Sequence, residues 1–96
     1  MNEGTLRRIV ADGESIMIVE IQFKPGGGVP LHHHPHEQVS TVVAGELDFV
    51  LGSQHIKLNA GDTLVIPSNV PHAAFTTVEG TIARDTFSPP REDFRG

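Results

Sequence analysis

Three histidines and a glutamine have the residue types and spacing of a metal site. His32 and His34 lie two apart, between Pro30 and Pro35. Proline at both ends opposes helix and favours extended chain. Side chains two apart on a strand share a face, so both imidazoles are expected to project together. Gln38 follows beyond Pro35, and His72 comes just after the turn-forming run Pro67-Ser68-Asn69-Val70-Pro71. Three imidazoles and one side-chain oxygen suffice to hold one divalent transition metal, and Ni, Zn, Fe, Mn and Co all accept such ligands. Four neutral ligands leave the double charge uncompensated. Such a site should attract anionic oxygen ligands and lower the pKa of bound water. It also lacks the carboxylate of the facial triad used by many non-haem iron oxygenases, which weighs against that chemistry. Glu37 is adjacent to Gln38 and would ligate only after a register slip, because neighbours on a strand face opposite sides. His33 faces away from its neighbours, His36 falls in a loop, and His55 stands alone on a hairpin as a solvated residue.

A scaffold of strands must bring these residues together. Val, Ile and Thr make up 24 of the 96 residues, and Gly and Pro another 17. That mixture favours strands joined by tight turns over a helical bundle. The chain from 16 to 24 alternates, with Met17, Val19, Ile21 and Phe23 on one face and Glu20, Gln22 and Lys24 on the other. Further strands are expected over 5–11, 38–44, 46–51 and 54–58, with 29–34 extended and a short buried strand over 63–66. Residues 72–78 and 81–88 are expected to pair through a turn at Glu79-Gly80. Gly52-Ser53 reads as a two-residue hairpin loop, and Gly61 as a turn position needing positive φ. Eight to ten short strands with turns every eight to twelve residues read as a single all-β domain over 1–96, a sandwich or barrel.

Composition narrows the function classes. A net charge of −5 argues against a nucleic-acid surface. No apolar run approaches membrane-spanning length, and the first residues lack the apolar core of a signal peptide, so a cytoplasmic protein is expected. The absence of cysteine excludes disulfides, thiolate ligands and cysteine nucleophiles.

The run Gly26-x5-His32-x-His34-x3-Gln38-x6-Gly45 resembles the first motif of the cupin superfamily, and Gly61-x5-Pro67-x-Asn69-x2-His72 resembles the second. The resemblance implies a double-stranded β-helix, a jelly-roll-like barrel with its core at about 16–88, binding a metal through His32, His34, Gln38 and His72. The usual first-motif Glu is replaced by Gln38. The second-motif Gly is Asn69, and its closing Asn is Thr76. Asparagine also tolerates a left-handed turn.

In the last strand Asp85 and Phe87 share a face, and Arg91 follows two prolines. One reading is a strand end with a charged tail anchored by Phe94. The other places Asp85 in the barrel beside the metal as a proton-moving carboxylate and gives Arg91 a fork for a substrate carboxylate. Together with the 32–38 run, this segment is similar to the KdgF-type pectin-degradation cupins. That resemblance implies conversion of 4,5-unsaturated uronates into open-chain keto acids, with Asp85, Phe87 and Arg91 at the reaction centre and residues 89–96 folding back near the barrel mouth. The substrate it implies is small and anionic. A barrel this small leaves sheet edges for a partner to cover, and with the cupin resemblance this implies a homodimer, through the N-terminal strand. Two other readings are a metal-dependent dioxygenase and a non-catalytic sugar- or metabolite-binding module.

Overall fold

Met17, Val19, Ile21 and Phe23 are buried, while Glu20 and Gln22 between them are not. This period-2 pattern sets which side of the sheet becomes core. The computed structural model describes residues 4–95; residues 1–3 and 96, the two ends of the expected domain, lie outside the described residues. Nine strands follow one another: β1 (Thr5–Asp12), β2 (Met17–Phe23), β3 (Gly28–His32), β4 (Glu37–Ala44), β5 (Glu46–Leu51), β6 (Gln54–Asn59), β7 (Thr63–Ile66), β8 (His72–Phe75) and β9 (Thr81–Ser88). A single 3-10 turn, Glu92–Phe94, closes the described chain. No helix among the described residues is long and apolar enough to cross a membrane.

The strands form two antiparallel sheets, in the orders β1-β2-β9-β4-β7 and β3-β8-β5-β6. From β2 to β5, and again from β6 to β9, each connection carries the chain from one sheet to the other. The result is an all-β jelly-roll-like barrel. Its core takes Val19 and Val42 from the first sheet and Leu47, Phe49 and Leu58 from the second.

The tight turns follow their residues. Leu51 pairs with Gln54 across Gly52-Ser53, and Gly61 has φ 93°. Gly45 is required by a close approach, since a Cβ there would sit 2.3 Å from the Thr81 hydroxyl.

Three expectations are corrected. Residues 72–78 and 81–88 do not pair: β8 stops at Phe75 and lies between β3 and β5, whereas β9 lies between β2 and β4. The crossing starts at Thr76. Its backbone still bonds Gly26 and Gly27 (2.8 and 3.1 Å), while its hydroxyl donates to the Glu46 carbonyl (2.7 Å) and accepts from the Val78 N–H (3.0 Å), so the chain turns away just after it. Second, β7 is an edge strand with Thr63 and Val65 exposed and only Ile66 buried. Third, β3 ends at His32, which leaves His34 in a loop.

Candidate metal centre and adjoining cavity

His32, at the end of β3, is the direct register partner of His72, the first residue of β8. Antiparallel pairing therefore brings two residues forty positions apart to ring centroids 4.3 Å apart. His34 arrives by a different route. The turn before β8 grips its loop: the Asn69 N–H donates to the His34 carbonyl (2.8 Å) and the Ser68 hydroxyl to the Pro35 carbonyl (2.5 Å). Asn69 holds φ 63°, in the left-handed region. The His34 ring then lies 5.4 Å from His32 and 4.9 Å from His72.

Hydrogen bonding sets the tautomers. The Nδ1 atoms of His32, His34 and His72 face the carbonyls of Pro30 (2.7 Å), His36 (3.1 Å) and Val70 (2.9 Å). A carbonyl only accepts, so each Nδ1 donates and each Nε2 is left with a lone pair. This is the outer hydrogen bond that metal-binding imidazoles ordinarily make. One ligating atom from each ring lies within 4.8 Å of the other two. His72 Nε2 is buried without a hydrogen-bond partner. His34 Nε2 faces Gln38 Oε1 at 3.1 Å. The Gln38 amide cannot simply turn over, because its nitrogen donates to Ser40 (2.9 Å) and the Ser40 hydroxyl donates to Asp85 Oδ1 (2.7 Å). Two lone pairs thus meet, an arrangement that a shared cation relieves. Protonating His34 would relieve it too, but burial and then the Arg91 charge hold its pKa below the ordinary value. Burial brings His72 down to about 4. With His34 and His72 held toward the neutral form by burial and one ring nitrogen of each residue converging, the three-histidine cluster fits a metal site.

The rest of the site comes from β4 and β9. Gln38 is registered against Phe87, and Ser40 against Asp85. Gln38 (4% exposed) and Asp85 (7%) point inward, while Glu37 faces out. Burial raises the Asp85 pKa to about 6, against the opposing hydrogen bonds from Ser40 and Gln38. A cavity of about 260 Å³ is lined by His32, Gln38, His72, Asp85, Phe87 and Arg91, with Arg7 and Phe94 also at its wall.

All seven residues singled out from the sequence therefore lie in one region, with six on the cavity wall and His34 against His32, His72 and Phe87. Arg91, however, has already committed one face of its fork. Its Nε and one terminal nitrogen donate to the two Asp93 oxygens at 3.0 and 2.8 Å, and this holds the Asp93 carboxyl below its ordinary range. His33 and His55 are exposed. His36 packs 5.2 Å from His34 but stays outside the three-histidine group. Sequence reasoning missed Ser40, Asp93 and Arg7. Ser40 shares the face of Gln38, and Arg7 that of Thr5 and Ile9, so strand parity was the available signal.

The family description "Cupin domain" matches residues 19–84. The chain is 33% identical over 95 residues to the pectin degradation protein KdgF of Dickeya dadantii (strain 3937), spanning 98% of this chain and 86% of that protein. The solved structure of KdgF from Halomonas sp. superposes with a TM-score of 0.91 at 33% identity, covering 95% of this chain and 84% of that one. An RmlC-like cupin from Shewanella frigidimarina NCIMB 400 superposes with a TM-score of 0.92 at 38% identity, over 98% and 84% of the two chains.

Proposed function

This chain belongs to the cupin family, and from that premise we propose that it is a metal-dependent enzyme that opens the ring of 4,5-unsaturated uronates. Its likeness to two KdgF proteins supports the substrate class. The observation that carries the reading is the buried chain Gln38–Ser40–Asp85, which links the three-histidine cluster to a carboxyl on the cavity wall.

His32, His34, His72 and Gln38 would hold one divalent transition metal. When bound, it supplies Lewis acidity toward substrate oxygens and a template for their orientation. The protein's own groups do the rest. Burial lifts the Asp85 pKa to about 6, which suits a carboxyl that both gives and takes protons. In its protonated form it delivers a proton to C4 of the enol ether while water adds at C5, and it recovers a proton from that water. The C5 hemiketal then opens by breaking the C5–O5 bond, its hydroxyl proton passing to the ring oxygen. C1 sheds water as it becomes an aldehyde, so the product is an isomer of the substrate. Ser40 holds one Asp85 oxygen and aims the other. Phe87 walls the pocket beside it and limits bulk water.

The test is optical. Metal-loaded protein should speed the loss of the conjugated-alkene absorbance of unsaturated galacturonate, and Asp85→Ala should abolish that acceleration. A wild-type rate equal to the uncatalysed one overturns the reading; tight binding without turnover points instead to a binding module.

A further inference from the structure

We propose that Arg7 is the residue that grips the substrate carboxylate. The proposal rests on the uronate reading for its ligand class.

Parity on β1 makes Arg7 anomalous. Thr5 is buried and Ile9 packs against the core, so the odd positions ahead of the bulge at 9–11 face inward. Arg7 lies between them and opposite Ile21, itself a core residue on the cavity wall. Its neighbour Arg8 points the other way and pairs with Glu20 at 3.3 Å. A guanidinium on the inward face is costly unless something compensates it. A local rule broken without compensation in the fold is where function is expected.

None of the described residues accepts from the donors of the Arg7 side chain. Among the described residues Arg8 and Arg84 are paired with Glu20, Arg91 with Asp93, and Arg95 with Asp12 and Glu92. Arg7 has neither a hydrogen bond nor an ion pair there. Its one specific contact is a stack: the guanidinium carbon lies 3.7 Å over the Phe94 ring. Stacking occupies the face of the group and fixes its plane. The donors lie in that plane, which is the arrangement a planar carboxylate needs for two parallel hydrogen bonds. Arg91 lines the same cavity but has already given that face of its fork to Asp93. The division of labour is then clear: Arg91 and Asp93 brace Phe94, whose ring lies 4.2 Å from the Arg91 guanidinium carbon, and Phe94 braces Arg7.

The experiment compares galacturonate with galactose, which lacks the carboxylate, by calorimetry on metal-loaded protein. KM and kcat on unsaturated galacturonate are measured beside it. Wild type should prefer the acid. Arg7→Gln should weaken acid binding and raise KM by about 10- to 100-fold, the loss of a charge-assisted pair, with galactose binding and kcat little changed. Arg7→Lys, which keeps the charge and loses the fork, should fall between; it also carries the test if Arg7→Gln does not fold. Phe94→Leu should show a smaller KM increase. An Arg7→Gln protein that still prefers the acid, or a wild type with no preference, overturns the proposal. If the preference depends on Arg7 but the alkene absorbance persists, the carboxylate site stands and the ring-opening reading falls.

Discussion

Gln38 is an amide because of what stands on its far side. Ser40 has one hydroxyl proton and donates it to Asp85, so it must accept from residue 38. An amide offers N–H toward Ser40 and an oxygen toward the histidines. A carboxylate would put two anions around one hydroxyl proton and push the Asp85 proton affinity up further. Gln38→Glu should therefore hold a divalent metal more tightly in a chelator competition yet turn over more slowly at neutral pH. The histidines predict the acid behaviour of the metal-free protein. His72 falls from 6.5 to about 4 on folding, and His34 shifts the same way. Their stabilising contribution is full above 6.5 and is lost as pH falls toward 4. Asp85 has the opposite sign. Its raised value contributes stability below 3.8 that disappears as pH rises through about 6. Urea midpoints of chelator-treated protein between these limits should fall on acidification. The fall should be steeper in Asp85→Asn, where the opposing gain is removed, and shallower in His72→Asn.

The strands were legible wherever one strand settles its own face. Alternation located β2, and two-residue spacing located the β5–β6 hairpin, because both are local properties. Pairing partners are not local. Residues 72–78 and 81–88 look like a hairpin, but after Thr76 the chain crosses to the other sheet. The histidine spacing likewise located the site without its scaffold, since His34 owes its position to a turn thirty-five residues later rather than to β3. Asn69 is the keystone of that turn. Asn69→Val forces a β-branched residue into the left-handed region and should cost about 1–2 kcal/mol by urea unfolding. It should also weaken metal retention, because the N–H that holds His34 moves with it. Asn69→Gly should be close to neutral in both measurements.

The two sheets meet at the cluster: His32 and His72 belong to the four-stranded sheet and Gln38 to the five-stranded one. A ligand shared by all of them cross-links the barrel. Saturating metal at about 100 times its Kd is worth about 2.7 kcal/mol to the folded state. For a domain of this size that is roughly 10 °C or more in Tm. Thermal melts with and without a strong chelator should show that gap, and His72→Asn should melt alike in both. The segment after β9 has a separate consequence. Arg91, Asp93 and Phe94 wall the cavity but belong to no strand. A proteolytic cut between Ser88 and Arg91 would fall after the last of the nine strands and spare them all. Such a clipped molecule would keep its far-ultraviolet spectrum and its metal while losing its hold on sugar acids, a form of inactivation that a folding assay would pass as intact.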